Sequence, residues 1–542
     1  MNDPNKIPEL LWTPSRAGRT PMDEYRHHIN ECFSTKLETT KDLQKWSVQN
    51  PQKFWIDLYS WLKLTPSLPK DLSKAYDDTV PMSSNPPFFP GQMLNYTENA
   101  IFANPDPDDI ALIGIREGLE DEEILTWHQF REKLRLTASA LRQCGVKQGD
   151  RVAALVATSV WAMILFHAAA SIGAIFTSIS PELGLEGCVS RLQQVTPSIL
   201  FVDGDTVYKG KTLPTIEKLR KILARLEPKP QTYVIPISST QSSYPSISDF
   251  MSRANPSDKL TFTRVPFNYP LLICYSSGTT GPPKCIVHQH GLIMQLKKIA
   301  VVHNSTTPAD IIFQFASTSW VVFNVMCGYF AAGARTIVYN GSPMYPDVKQ
   351  LLRFVEKYRV TYFGTSPRYL LEIEMAKCIP KEEFDLNSLR IVYTTGATLS
   401  AEQYRWFYRS MPRHIQLCNT AGGTDTATSL IAADPCGPIY AGEMQIFGLG
   451  MDVDIADPVT GQSILNTGEL GELIVRQAFP SMPCFFWGDH GGKKYKSSYF
   501  ERFDNIDVWA QHDLVSCNRK TGGLVMHGRS DGVLSKMMHL SL

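Results

Sequence analysis

Val152–Pro181 reads VAALVATSVWAMILFHAAASIGAIFTSISP, and it contains no Asp, Glu, Lys or Arg. An uncharged run of that length suits a membrane span. Its punctuation decides otherwise. Val152 to Val156 is a short apolar run that suits a buried strand, and Thr158-Ser159 supplies helix-cap chemistry. Trp161 to Ala170 then reads as a buried helix, Gly173 interrupts it, and Ala174-Ile175-Phe176 begins a second strand. The pattern is β-α-β, which predicts parallel sheet and an α/β fold with no membrane span.

Outward from that unit the alternation continues. Ile199-Leu200-Phe201-Val202-Asp203 is a further strand, and residues 110 to 250 form one α/β layer. Pro236 to Pro256, rich in Ser and Pro, reads as a surface connection. From 271 to about 435, the runs Thr336–Tyr339, Val360–Phe363 and Arg390–Tyr393 predict a second α/β layer. Beyond about 440 short strands and turns dominate, as in Gly468–Val475 and Gly522–Met526. The expected architecture is two stacked, mostly parallel α/β subdomains plus a smaller β-rich subdomain. The expected domains are an aromatic-rich helical extension at 1–100, a core of two subdomains at 101–435, and a β-rich part at 436–534. A divergent tail, 535–542, follows. Trp46, Phe54, Trp55 and Trp61 are spaced to pack helix faces on the larger body.

Bulk properties narrow the function. The 542 residues exceed one ordinary core, and 53 Lys plus Arg balance 53 Asp plus Glu. That balance gives no electrostatic case for nucleic acid or an anionic membrane. Eleven cysteines stand singly with no Cys-x-x-Cys pair, which argues against a disulfide framework or a zinc site and for a reducing compartment. The start lacks a signal-peptide pattern, and the cytoplasm is the expected location.

The most informative loop follows the apolar run Leu271–Cys274. It reads Tyr275-Ser276-Ser277-Gly278-Thr279-Thr280-Gly281-Pro282-Pro283-Lys284. Small hydroxyl residues and two glycines free backbone N–H groups to face phosphate oxygens, and Lys284 adds a point charge. The Gly278-to-Gly281 spacing is too short for a Walker A loop, and no Ser or Thr follows the lysine. A plain turn uses the same residues, but rarely in this order. Three further segments accompany it: Gly422-Gly423-Thr424-Asp425, which offers oxygen ligands for Mg²⁺, Asp513, and Gly528-Arg529-Ser530-Asp531. Alone, Gly422–Asp425 reads more readily as a turn and Asp513 as a solvated loop residue, and the third segment is ambiguous.

Together, from about residue 90 to 534, these motifs resemble the AMP-forming acyl-CoA synthetase and luciferase superfamily. Within it the chain resembles the acetoacetyl-CoA synthetase family through Leu11–Ser15, Trp46–Val48, Phe54-Trp55, Leu94–Asn99, Phe363–Ser366, Tyr440–Glu443 and Gly448–Met451. The resemblance implies an acid-CoA ligase using ATP, Mg²⁺ and coenzyme A on a short carboxylic acid, acetoacetate or a related short or branched one. Ser276, Ser277, Gly278, Thr279, Thr280, Gly281 and Lys284 would hold the β- and γ-phosphates, and Gly422, Gly423, Thr424 and Asp425 would serve Mg²⁺ and the α-phosphate. Gly396, Ala397 and Thr398 would line adenine, and Asp513 with Arg529 would hold ribose. Ser319, Trp320, Gly364 and Thr365 would form the acid pocket, although a core tryptophan is an equal reading of Trp320. Asp531 stands at the family's hinge.

Several residues depart from the family pattern. Ser319 replaces a usual glycine, Val321-Val322-Phe323 replaces methionine and tryptophan, and Ala397-Thr398 replaces Ser-Pro. These departures bear on which acid is used, a specialised-metabolite acid included. After Leu534 the resemblance ends, so the family's mobile C-terminal domain and its adenylation lysine are expected to be absent. Lys536, in a short tail, is not expected to replace that lysine. The resemblance then leaves open an impaired ligase, a half-enzyme completed by a separate chain, and a noncatalytic nucleotide-binding protein.

Overall fold

The strand predicted to begin the β-α-β unit forms at Arg151–Leu155, its helix at Val160–Ser171 and the second strand at Ile175–Ile179. These elements belong to a computed structural model that describes residues 4–15, 20–118, 122–237, 242–276 and 282–530. Ser159 caps the helix by accepting from the Ala162 N–H at 3.3 Å. The helix has no polar face because it lies between two sheets. It contacts Arg151–Leu155 and Ile175–Ile179 on one side and Ile110–Arg116 on the other. A Cβ on Gly114 would come within 2.6 Å of Val160 Cγ2, so glycine is what lets the helix start so close to that strand. Among the described residues no helix is long and apolar enough to cross a membrane. Double-sided burial thus accounts for the uncharged run.

Among the described residues each of the two main sheets has seven strands. The first runs in space Gln231–Ile235, Ile199–Asp203, Arg151–Leu155, Ile175–Ile179, Pro270–Ser276, Lys284–Gln289, Phe485–Phe486. It is parallel as far as Pro270–Ser276 and antiparallel thereafter. The second runs Gln416–Asn419, Ile391–Thr394, Tyr362–Thr365, Ile311–Gln314, Arg335–Asn340, Ile110–Arg116, Glu123–Thr126, with only the last pair antiparallel. A four-stranded antiparallel sheet, Val453–Ala456, Gly471–Val475, Trp509–Cys517 and Leu524–Arg529, makes the β-rich part.

The mixed α/β architecture is the one expected, but the division into layers at 271 is corrected. Ile110–Arg116 and Glu123–Thr126 edge the second sheet, while Pro270–Ser276 and Lys284–Gln289 complete the first. An apolar run marks a strand and says nothing of its partner. The connection at 236–256 also carries a short helix, Ile247–Met251, with Ser246 and Asp249 in a capping box and Phe250 buried.

The N-terminal helices Pro21–Phe33, Thr40–Gln49 and Pro51–Trp61 dock on this body through the expected aromatics. Phe54 and Trp55 are fully buried. Gly450, at φ +71°, sits so close that a Cβ there would meet Phe54 at 2.2 Å and Trp55 at 2.6 Å. Its N–H donates to Ser47 Oγ at 2.8 Å. On the same seam, the buried Lys298 donates to the Leu449 carbonyl at 2.7 Å, and its ammonium lies 5.4 Å from the Trp55 ring centre.

His303 ties that seam together in one tautomer. Its Nδ1–H donates to the Ala433 carbonyl at 2.8 Å, and its Nε2 accepts the Leu449 N–H at 3.3 Å. Protonation would therefore break a hydrogen bond as well as bury a charge. Burial pulls His303, His167 and His290 down to about 3 and His288 to about 4. An unfolded chain protonates these rings near pH 6.5, so between that pH and about 4 unfolding takes up protons. Stability should then fall as pH falls across this window, by up to about 1.4 kcal/mol per pH unit for each ring. We expect His303→Gln to lower the unfolding temperature at pH 7.5 yet to flatten its dependence between pH 4.5 and 6.5. An unchanged slope would remove His303 from the acid response.

Candidate functional site

The carboxyl ends of the parallel strands of both sheets meet, and side-chain hydroxyls stitch them. Thr158 Oγ1 donates to the Ala316 carbonyl at 2.5 Å and Thr318 Oγ1 to the Val156 carbonyl at 2.6 Å. Ser178 Oγ donates to the Thr318 carbonyl at 2.7 Å, and the Ser180 N–H donates to Ser319 Oγ at 2.7 Å. Thr158, Ser178, Ser180 and Thr318 are all buried. Segments leaving the ends of parallel strands are where α/β sheets present ligand sites. Most of the predicted site residues leave from those ends.

From the first sheet comes Ser276, the last residue of Pro270–Ser276. It is the register partner of Lys284, the first residue of the antiparallel strand Lys284–Gln289. The phosphate loop therefore bridges a hairpin at the sheet's carboxyl end. Its members Ser277, Gly278, Thr279, Thr280 and Gly281 lie outside the described residues, as do Asp531 and Lys536. The Lys284 ammonium lies 5.5 Å from the Phe486 ring centre and 5.7 Å from that of Tyr499.

From the second sheet, Gly422–Asp425 follows the strand Gln416–Asn419. A Cβ on Gly422 would fall 2.1 Å from the Thr428 carbonyl oxygen, so this turn admits no side chain there. The Thr424 carbonyl accepts from Nε2–H of the buried His288, at 2.8 Å, which couples it to the first sheet. His288 Nδ1 is then the lone-pair nitrogen, buried and without a partner among the described residues. Asp425 Oδ1 accepts from the Tyr499 hydroxyl. Tyr499 is itself clamped, stacked on Trp509 with 3.8 Å between ring centres and 16° between planes. Burial and then the Asp425 charge hold the Tyr499 phenol well above its usual range, so it stays a proton donor.

The predicted ribose residues reach the same region along two paired strands. Asp513 and Arg529 are register partners, with Arg529 Nη1 3.7 Å from Asp513 Oδ1 and also donating to the Gln511 carbonyl at 3.3 Å. The Gln511 side chain in turn covers Gly423, whose Cβ would lie 2.7 Å from Gln511 Nε2. Gln511 Oε1 is held by Trp509 Nε1–H at 2.9 Å.

Gly396, Ala397 and Thr398 follow the strand Ile391–Thr394. Gly396, at φ +88°, faces Trp320: a Cβ there would be 3.8 Å from the indole Cη2. Trp320 precedes the helix Val321–Tyr329 as its N-cap residue and is half-buried, not a core residue. Gly364 lies under the Gln314 side chain, whose Oε1 would be 1.8 Å from a Cβ on it. Thr365 is buried with an Oγ1 that has no partner among the described residues. The structure thus gathers the second-sheet segments at one rim and joins them to the first sheet through His288, Tyr499 and the Ser319 contact.

Sequence reading passed over Tyr499, His288 and Gln511. Tyr499 is 74 positions from the carboxylate it orients, and no local spacing signals such a pair. The aromatic run Tyr495, Tyr499, Phe500 was the one available hint. Nothing in the sequence distinguished His288 from an ordinary core histidine.

The AMP-binding enzyme family matches residues 100–483. Acetoacetyl-CoA synthetase of Gallus gallus is 34% identical over 547 residues, spanning 97% of this chain and 80% of its own. Malonamoyl-CoA synthetase vrtB of Penicillium aethiopicum is 33% identical over 558 residues, spanning 97% and 75%. The solved structure of the acetoacetyl-CoA synthetase from Streptomyces lividans superposes with a TM-score of 0.90 at 30% identity, spanning 98% of this chain and 81% of that one. Such a chain is an AMP-forming acid-CoA ligase, with ATP, Mg²⁺ and coenzyme A as the reaction's partners. Motif order, sheet topology and similarity over nearly the whole length agree, and the chain belongs to the AMP-binding enzymes of the acetoacetyl-CoA synthetase family.

Proposed function

We propose that the acid activated here is short and carries a carbonyl two atoms from its carboxylate, acetoacetate foremost. The reading rests on one observation above the rest: Trp320 stands beside Gly396 at the sheet ends, so the indole bounds the space next to the expected adenine segment. A flat, half-buried ring there limits acid length by occupying volume. The acyl groups named for two relatives, acetoacetyl and malonamoyl, both have that third-carbon carbonyl.

In the proposed reaction a carboxylate oxygen attacks the α-phosphorus and the bond to the β-phosphate breaks, giving acyl-adenylate and pyrophosphate. The coenzyme A thiolate then attacks the acyl carbon and AMP leaves. No protein nucleophile is needed, so positioning and charge carry the rate. We assign Lys284 to the phosphates, with Ser276 and the loop after it offering N–H donors. Asp513 and Arg529 are assigned to ribose, and the Gly396–Thr398 backbone to adenine.

Mg²⁺ fits the donor set of Thr424 and Asp425, which is all oxygen as a hard cation prefers. Bound there, the ion would neutralise phosphate charge. The chain's own part is orientation. Tyr499 occupies Oδ1 of Asp425 and leaves Oδ2 for the ligand, while His288 fixes the Thr424 carbonyl and so aims its hydroxyl-bearing side of the turn. Scattered single cysteines make the cytoplasm the proposed location.

The direct test is mass spectrometry of the purified chain with MgATP, coenzyme A and a panel of acids. Acetoacetyl-CoA or acetoacetyl-AMP should lead the products, with acetate and hexanoate well behind. Nucleotide binding without any acyl product across the panel would defeat the assignment.

Two substitutions probe the site. Trp320→Ala should raise kcat/KM for hexanoate relative to acetoacetate by about tenfold or more, and an unaltered ratio would take the indole out of the acid pocket. Tyr499→Phe keeps the ring beneath Lys284 and against Trp509 but deletes one charge-assisted hydrogen bond. It should slow pyrophosphate release by roughly tenfold, against about a hundredfold for Asp425→Asn. Equal rates for Tyr499→Phe and the parent chain would show that Asp425 needs no such orientation.

A further inference from the structure

Far along the sequence from every motif above, two N-terminal helices bring three metal-binding side chains together. His28 and Cys32 stand one turn apart on Pro21–Phe33, where i and i+4 share a face, and Asp57 projects from Pro51–Trp61. His28 Nε2 is 2.9 Å from Asp57 Oδ2. Cys32 Sγ is 3.6 Å from His28 Nδ1 and 3.7 Å from Nε2. The three ligand atoms all lie within 4.8 Å of one another.

A tetrahedral zinc ion with bonds of about 2.0–2.3 Å spaces its ligands roughly 3.3–3.6 Å apart. Reaching that spacing from the observed one takes side-chain adjustments of about 1 Å or less. A histidine–aspartate pair alone would account for the 2.9 Å contact. It does not account for the Cys32 thiol set against the same ring. The other carboxylate oxygen, Asp57 Oδ1, is buried, and the Tyr25 hydroxyl bonds to the same carboxylate. Burial, and after it the charge of Asp57, hold the Tyr25 phenol well above its usual range. The His28 ring is held between Tyr25, 5.9 Å away and 21° from parallel, and Trp61, 4.8 Å away. A ring so confined is already oriented, which is what outer partners supply to metal ligands. Cys32 is exposed, so the thiol side of the cluster opens to solvent.

We propose that His28, Cys32 and Asp57 form a zinc site, with water completing a fourth position, that clasps the first and third N-terminal helices. The mixed N, S and O donors suit a borderline-soft d¹⁰ ion better than Mg²⁺ or Ca²⁺. On binding, the Cys32 thiol gives its proton to solvent, and thiolate plus carboxylate balance the ion's two charges. The site lies outside residues 100–483, the part matched by the AMP-binding enzymes, and needs no nucleotide. Its sequence signal was invisible to a search for Cys-x-x-Cys, because the third ligand comes from a separate helix.

Cobalt is the probe. The whole chain, stripped with chelator, should take up one Co²⁺ with the strong visible absorption of a four-coordinate ion and a near-ultraviolet thiolate-to-cobalt band. Zn²⁺ should bleach both. Cys32→Ser should lose the thiolate band, and Asp57→Asn should weaken cobalt binding by about tenfold or more, whereas Cys436→Ser should change neither. Circular dichroism checks that each variant is folded. Because Cys32 is exposed, its replacement leaves the core intact. A weak six-coordinate spectrum, no uptake, or a thiolate band that survives in Cys32→Ser would overturn the proposal.

Discussion

The hydroxyl stitch between the two sheets is the constraint on which the site depends. Thr158, Thr318, Ser178 and Ser319 exchange hydrogen bonds with backbone groups from the opposite sheet. Each of those backbone groups leaves the end of a strand and has no ladder partner there, so burial would be costly without a donor or acceptor. Satisfying them fixes the spacing of the sheets at the carboxyl ends. With that spacing set, His288 on the strand Lys284–Gln289 reaches the Thr424 carbonyl of the turn from the other sheet.

Glycines and aromatic rings then set how closely the parts approach. Gly422 and Gly364 are positions where a neighbouring carbonyl or amide takes the place of a side chain, whereas Gly396 has room beside the indole and is set by its φ of +88°. Around them, Tyr499 and Trp509 form a stacked wall that reaches from Lys284 on one sheet to Asp425 beyond the other. A cation, a ring and a carboxylate in series leave both charges near the rim and apolar surface behind them. In the proposed reaction that arrangement would strengthen electrostatic work on a phosphate by excluding water from one side.

Much of this was legible. The uncharged stretch from Val152 to Pro181 gave up its strand, helix and strand because Ser159 and Gly173 break it at the right places. The Gly422 to Asp425 turn and the aromatic N-terminal helices were marked by residue type and order. The layer boundary was not, since strands at Ile110–Arg116 and Pro270–Ser276 carry the same apolar pattern whichever sheet they join. Thr158 shows the limit on a smaller scale: it read as helix-cap chemistry, and the cap is Ser159 while Thr158 crosses between sheets.

By itself the sequence determined the fold class and the family, because periodicity, turn chemistry and motif order are local properties of a chain. Only the tertiary structure decided that Tyr499 orients Asp425, that His288 holds Thr424, that Trp320 stands beside Gly396, and that Asp57 joins His28 and Cys32. Those contacts bring together residues from separate elements. Their distances are set by how sheets and helices pack, and no local pattern encodes a distance across a core.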